Sequence, residues 1–202
     1  MDTFDAIYGR RAVKHFDADH KLSEDETTKL LEAAIQSPTS FNIQHWRFVL
    51  VKDLELRQQI RAVGNDQAQM TDASLLILMT ADVMAWKKHP SRYWAHAPKE
   101  VADLLVGWMG PFHDGNDQLQ RDEAQRSIGM AMQTLMVAAK AMGYESCPMI
   151  GFDHDAVAKL INLPADHCIG PLVAIGKGIK DPWPKPGQLP LAEVVVQNRF
   201  PS

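Results

Sequence analysis

The chain has 202 residues, of which 46% are hydrophobic, and it carries a formal net charge of −4. This size and apolar content allow one buried core, so a single domain over residues 1–202 is predicted. The mild acidity gives no reason to expect nucleic acid or an anionic membrane as a partner, and no apolar run approaches the about 20 residues that span a bilayer. The N-terminus lacks the pattern of a secretory signal and the two cysteines lack metal-binding spacing, so we expect a cytoplasmic protein without a metal site.

The apolar patterns predict helices and strands mixed without a regular alternation. In the first half they predict helices over 2–9, from 24 to the turn before residue 38, over 53–63 and near 97–109, with strands over 48–51 and 75–81. We expect the first helix to turn Phe4, Ile7 and Tyr8 inward. Ser23 and Glu26 match a capping box, which would open the second helix.

The second half contains the longest helical pattern, over 122–142, which is apolar on more than one face and ends before Gly143. Shorter patterns predict strands over 144–147 and 168–175 and a helix over 153–161. The four prolines between Asp181 and Pro190 require an extended tail, which would either wrap a partner subunit or lie on the surface as a strap. The irregular mixture favours the α+β class over a doubly wound sheet.

Three short motifs have side chains suited to ligand binding. Residues 10–14, RRAVK, place three cations within five positions, where they could converge on a phosphate or form a solvated basic turn. Residues 37–46, SPTSFNIQHW, offer hydroxyls and amides that suit a ring edge such as that of a flavin, or that cap their own backbone. Residues 147–153, CPMIGFD, let backbone approach a ligand at Gly151, or form an ordinary strand-to-helix turn. Each motif alone favours the simpler structural interpretation.

In their order and spacing along the chain, the three motifs resemble those of the nitroreductase family of FMN-dependent oxidoreductases. The likeness runs from about residue 4 to 200 and also includes the segment Gln67–Ser74, the long helix and Gly143-Tyr144. It implies an α+β, three-layer α/β/α sandwich with a mixed, mostly antiparallel sheet and a long central helix. It also implies an obligate homodimer with FMN at the subunit interface.

The resemblance implies a role for each motif. Arg10 would reach the phosphate and ribityl end of FMN, with Arg11 and Ala12 completing the cradle. Lys14 would lie near N1 and O2 of the flavin, where a cation stabilises the reduced ring. The other implied contacts are Pro38, Thr39, Ser40 and Asn42 from the partner subunit, Gln69 or else Gln67 at the pyrimidine edge, Pro148, the backbone of Ile150 and Gly151 facing N5, and Lys185 at the phosphate.

One departure from the family pattern lies in the tail. Relatives commonly have a Lys-x-Arg there that binds the phosphate, whereas the stretch from Lys185 to Gln188 keeps the lysine and lacks the arginine. Either Lys185 or Arg199 would have to compensate, and otherwise FMN binding is expected to be weaker than in relatives.

The implied activity is hydride transfer from NAD(P)H through flavin N5 to a nitroaromatic, quinone or enone acceptor by a ping-pong mechanism, with no catalytic side chain required. The segment from Trp86 to Phe112 would form the outer wall of the pocket, or else helix core and a dimer contact. Alternatives are a non-catalytic flavin-binding homodimer and a family variant performing dehalogenation or flavin-fragmenting chemistry. The sequence does not identify the acceptor or choose between NADH and NADPH.

Overall fold

The computed structural model describes residues 1–200. Within them the α-helices are α1 (Thr3–Gly9), α2 (Glu24–Ala34), α3 (Leu54–Ala62), α4 (Gln69–Asp72), α5 (Lys99–His113), α6 (Asp117–Ala141), α7 (His154–Leu160) and α8 (Leu191–Val194). The strands are β1 (Trp46–Leu50), β2 (Leu75–Asp82), β3 (Glu145–Met149) and β4 (His167–Gly176). Short 3-10 turns occupy Ser40–Asn42, Ala85–Lys87 and Pro90–Trp94. The predicted elements are all present, while the sequence patterns predict neither α4 nor α8.

The starts of several helices follow from side-chain caps. The predicted capping box is confirmed, because the Ser23 hydroxyl accepts from the Glu26 N–H at 3.2 Å and the Ser23 N–H donates to the Glu26 carboxylate at 2.8 Å. Asp53 caps α3, and Asp153 caps α7. Asn116 accepts from the N–H of Leu119, so α6 begins five residues before the predicted helix.

The four strands form one antiparallel sheet in the order β1-β2-β4-β3. All eight residues of β2 are buried, as expected of a central strand that is covered on both faces. The only parallel pairing within residues 1–200 is an isolated bridge between Ala12 and Ser146 at the β3 edge.

Helices cover both faces of the sheet and so make three layers. On one face, Ile77 of β2 and Val173 of β4 belong to the same buried cluster as Ile128 and Leu135 of α6, against which α2 also packs. On the other face, alternate strand residues join a second cluster with Ile60 of α3 and residues of α7. The predicted α/β/α sandwich and its long central helix are therefore confirmed. No helix within residues 1–200 combines the length and the hydropathy needed to cross a membrane.

The predicted inward face of α1 is wrong for the single chain. Phe4 and Tyr8 are 64% and 69% exposed, and Ile7 is also exposed, while Ala6 is the buried residue of this helix. Since α1 packs on α6 through its small residues, its large apolar side chains point away from the core. They remain uncovered by residues 1–200.

Candidate cofactor-binding site

The basic segment, residues Arg10–Lys14, lies along the outer edge of β3. The N–H of Val13 donates to the carbonyl of Ser146 at 3.0 Å, and Ala12 forms the bridge to the same residue. Because α1 ends at Gly9, the segment runs as extended backbone and Arg10 has a φ of −64° and a ψ of 129°. Val13 is buried among apolar residues, while Arg10 and Arg11 are half-buried and Lys14 is exposed.

The tail strap, residues Lys180–Gln188, folds back over this segment. The Lys14 ammonium lies 4.4 Å from the centre of the Trp183 ring, and the Arg11 guanidinium donates to the Trp183 carbonyl. On the other side, the Lys185 ammonium donates to the Tyr8 carbonyl at 2.7 Å. The extended tail that the prolines predict is confirmed, and in the single chain it lies as a strap on its own surface.

Between the segment and the strap lies a cavity of about 490 Å³. Its lining contains five cations and one carboxylate: Arg10, Arg11, Lys14, Lys180, Lys185 and Asp181. Such an excess of positive charge, with forked and point-like donors together, suits a phosphate group. Lys185 thus lines the cavity, and the side chain of Arg199 is not among the lining residues.

The third motif adjoins the basic segment through β3. The carbonyl of Gly151 accepts from the side-chain amides of Asn65 at 2.9 Å and Gln67 at 3.1 Å, and the carbonyl of Ile150 accepts from Phe152. Within residues 1–200 the backbone N–H groups of Ile150 and Gly151 donate to no acceptor of the protein. The turn therefore has two N–H donors available for a ligand, beside an Ile150 side chain that is 71% exposed.

Gln69 lies between these two parts of the site. It is buried, and its amide nitrogen lies 3.1 Å from the Gln67 side-chain oxygen and 3.9 Å from the Cys147 sulfur. Burial raises the pKa of the Cys147 thiol, and the charges of Lys14 and Arg10 act in the opposite direction, as they do when cations lie near a thiol. Gln69 is thus close to the cationic cavity, and Gln67 is close to Gly151. Both remain candidates for the pyrimidine edge.

The second motif lies in a different part of the chain. Asn42 donates to the carbonyl of Tyr93 at 2.7 Å, the Trp94 indole donates to the carbonyl of Phe41 at 3.0 Å, and Ser37 is bonded to Thr134 of α6 at 2.7 Å. Thr39 holds the loop itself, because its hydroxyl accepts from the N–H of Gln44 at 3.0 Å. Pro38 is exposed and Ser40 half-buried.

Sheet register shows how far apart the two motifs are. The basic segment adjoins β3 at Ser146, which is in register with Leu75 of β2, whereas the loop enters β1 at Trp46, which pairs with Ala81 of β2. With strands about 4.8 Å apart and residues about 3.3 Å apart along a strand, the separation is roughly 25 Å. The single chain therefore does not bring the first two motifs together.

Beside the loop lies an aromatic groove, defined by Phe41, Trp108, Pro111 and Phe112 and about 330 Å³ in volume. The Phe41 and Phe112 rings are 5.3 Å apart and tilted, and Trp108 is 54% exposed. The predicted outer wall between Trp86 and Phe112 is thus partly core, since Trp86 is buried, and partly open groove.

Two buried histidines, His45 and His113, lie near the loop and the aromatic groove. His45 is bonded to Ser127 of α6 at 3.1 Å, and His113 of α5 contacts the Met109 carbonyl at 2.8 Å and stacks on Trp86. Burial, with a smaller effect of His113, lowers the pKa of His45 to about 4. Both rings are fully buried and each has one ring nitrogen without a partner in the described chain.

A group of three potential metal ligands, Asp82, Asp166 and His167, occurs at the far end of β2 and β4. The Lys88 ammonium already binds both carboxylates, at 2.8 and 2.5 Å. Lys88 and His167 hold the pKa of Asp166 at about 2. This group is therefore an ion-pair network, and it carries no argument for a metal.

Trp183 is the site residue that the sequence patterns do not single out. Its only local signal is its position between Pro182 and Pro184, two residues before Lys185. Its partners are distant in sequence, since Arg11 lies 172 residues away.

The chain is similar to known proteins in both sequence and fold. The model of the nitroreductase family matches residues 7–177. Protein DrgA of Synechocystis sp. is 64% identical over 204 aligned residues, which cover 98% of this chain and 97% of DrgA. YodC of Bacillus subtilis, named as a candidate NAD(P)H nitroreductase, is 29% identical over 96% of this chain and 97% of its own.

Solved structures show the same fold. A candidate nitroreductase of Exiguobacterium sibiricum, solved in complex with FMN, superposes with a TM-score of 0.90 at 25% sequence identity. The likeness covers 98% of each of the two chains.

Proposed function

The chain belongs to the nitroreductase family, and from this premise we propose that it is an FMN-dependent oxidoreductase. The proposed reaction passes hydride from NAD(P)H to a small oxidised acceptor, a nitroaromatic, quinone or enone. An oxidoreductase that uses NAD(P)H is supported by the name of the relative YodC, and the flavin by the FMN complex of the Exiguobacterium protein.

One observation carries the proposal: a cationic cavity and a pair of unused backbone N–H groups lie at neighbouring parts of the β3 edge. Arg10 and Lys185 line the cavity and suit a phosphate, while Ile150 and Gly151 offer N–H donors at an open turn. The residues present therefore fit the two chemically different ends of FMN. FMN, when bound, would supply two-electron transfer at N5.

The side chains of the chain would act on that chemistry by position and charge. Lys14 would hold a fixed positive charge beside the pyrimidine edge, where reduction makes the ring more negative. Gln69, or else Gln67, would donate or accept at the same edge. The N–H groups of Ile150 and Gly151 would orient the ring at its reactive side. No side chain needs to carry a proton.

A homodimer completes the proposed site. The loop containing Pro38, Thr39, Ser40 and Asn42 is roughly 25 Å from the basic segment of its own subunit, so it would line FMN only from a partner subunit. The exposed apolar face of α1 and the exposed apolar tail residues, among them Leu191 and Val194, are suited to such an interface.

The aromatic groove supports the proposed acceptor class. Phe41, Trp108 and Phe112 present ring surfaces beside the loop, and planar nitroaromatics and quinones stack on such surfaces. The groove adds no charged side chain, which favours neutral acceptors.

The test starts from the colour of the purified protein. The protein should be yellow or take up FMN on titration, and NADH or NADPH should bleach it without oxygen. A panel of nitroaromatics, quinones and enones should then restore the colour. Colour without bleaching would reject the reductase and leave a flavin-binding protein, whereas absence of FMN uptake would reject both.

A further inference from the structure

The tail strap contributes an aromatic residue to the cationic cavity. We propose that Trp183 is a positioning residue of the FMN site, which holds the Lys14 ammonium under its ring and anchors Arg11 through its carbonyl. This inference rests on the proposed function, because it assigns Trp183 a role toward FMN. It also explains how the site functions without the tail arginine of relatives.

The Lys14 ammonium contacts the face of the Trp183 ring. The ammonium lies 4.4 Å from the ring centre, within the range of a cation–π interaction, which is strongest with Trp. A lysine on a flexible four-carbon stem loses much rotamer freedom on binding a ligand. The Trp183 ring already restricts the lysine side chain before FMN binds. It therefore lowers the entropic cost of placing the ammonium beside the flavin.

The strap is conformationally restricted around Trp183. Pro182 and Pro184 flank Trp183 and fix their own φ angles, so the strap has few alternative conformations to lose when it is ordered. A second tie, from Lys185 to the Tyr8 carbonyl at 2.7 Å, holds the strap on the other side of the cavity. An ammonium has three donors, so Lys185 keeps two for a phosphate.

The cations that line the cavity have different partners. The Arg11 guanidinium is bonded to the Trp183 carbonyl and therefore serves as an anchor of the strap. Arg10, Lys180 and Lys185 remain for the phosphate, and Lys14 remains for the flavin ring. In this arrangement the strap closes the cavity with Trp183 and with two lysines, Lys180 and Lys185.

The experiment compares Trp183→Leu with Trp183→Phe, which keeps an aromatic face. Because Trp183 is 77% exposed, neither change should lower the melting temperature of the FMN-free protein. Trp183→Leu should weaken FMN binding by about threefold to thirtyfold, the range of one cation–π contact, and should make the midpoint potential of the bound flavin more negative. Trp183→Phe should recover most of both. Ile179→Ala, which removes an exposed apolar side chain outside the cavity lining, is the matched control.

A double-mutant cycle with Lys14→Met tests whether the effect passes through Lys14. If it does, Trp183→Leu should change affinity and potential far less in the Lys14→Met background than in the wild type. Wild-type affinity and potential in Trp183→Leu would overturn the inference, and so would tighter binding, which would make Trp183 an obstruction. Additive effects in the cycle would also overturn it. Each of these results leaves the proposed function intact, whereas a wild-type protein that takes up no FMN would overturn both.

Discussion

Neighbouring cations of the basic segment have different partners, although their side chains carry the same charge. Arg11 and Lys14 contact the carbonyl and the ring of Trp183, whereas Arg10 lines the cavity from the end of α1. The sequence predicts the cluster itself, because cations that follow a helix end are evident from residue type. It does not predict the division among them, since that depends on a residue 172 positions away.

Arg10→Ala should weaken FMN binding without unfolding the protein. A hydrogen bond to a charged group contributes about 1.5–3 kcal/mol, so the dissociation constant should rise by about 10- to 100-fold. The melting temperature of the FMN-free protein should stay near that of the wild type, because Arg10 is half-buried at the surface. Titration of FMN fluorescence measures the affinity, with Lys29→Ala on the exposed face of α2 as the control. Full FMN occupancy and turnover in Arg10→Ala would contradict the role given to the basic segment.

His45 should make stability depend on pH in a window set by its lowered pKa. The folded protein resists protonation down to a pKa of about 4, whereas the unfolded chain takes up the proton near 6.5. Between these two pKa values the unfolded state binds more protons than the folded state. Unfolding therefore becomes more favourable as pH falls. The free energy of unfolding should therefore drop by about 2 kcal/mol from pH 7 to pH 5 because of this residue.

Urea unfolding at pH 7 and pH 5 measures that drop. His45→Gln removes the titrating group, so the difference between the two pH values should be smaller in the variant by about the same 2 kcal/mol. Glu26 and Asp166, whose pKa values are lowered to about 2, act mainly below pH 5 and should not obscure the result. An equal pH dependence in the wild type and the variant would show that His45 is not the cause.

At the scale of elements, buried strands and capped helices are the most predictable parts. β2 and β4 each contain an apolar run, and the caps of α2 and α3 follow from Ser23 and Asp53. The inward face of α1 is the clearest error, because a helix that packs through Ala6 leaves Phe4 and Tyr8 outside. Periodicity identifies an apolar face, but it does not tell whether the face covers its own core or another subunit.

α5 shows the same ambiguity with a functional consequence. Its exposed residues Val101, Leu104, Trp108 and Phe112 follow helical spacing, so one face of the helix is apolar and uncovered by the described chain. At the C-terminal end this face becomes part of the aromatic groove. The exposed side chains at this end of α5 are therefore open to an acceptor and are not packed in the core.

Trp108→Ala should affect the acceptor more than the nicotinamide. An aromatic stacking contact contributes about 0.5–1.5 kcal/mol to binding. Its loss should therefore raise KM for a nitroaromatic or quinone by about 2- to 10-fold. The anaerobic rate of flavin reduction by NAD(P)H should stay close to the wild-type rate. Val101→Ala, two turns earlier on the same face, is the control. An unchanged KM for every aromatic acceptor would remove the groove from the proposed site.

At the scale of the whole molecule, the two polar motifs at opposite corners of the sheet are the main structural argument for a dimer. Residue type predicts each motif, but their separation follows only from the strand order β1-β2-β4-β3 and its register. In a twofold dimer the basic segment of one subunit and the loop of the other can meet at two equivalent sites. Each site would then take its two halves from different chains.

Complementation between two damaged chains tests this arrangement. Lys14→Ala removes the basic half of a site, and Ser40→Trp blocks the loop half without removing a hydrogen bond described for the loop, so each homodimer should bind FMN poorly. A heterodimer of the two would combine both defects in one site and leave the other site with two intact halves, so it should bind about one FMN per dimer. Co-expression with two affinity tags isolates the heterodimer, and flavin absorbance gives the occupancy. If both halves came from the same chain, every site in the heterodimer would carry one defect, and no recovery of FMN binding would be seen.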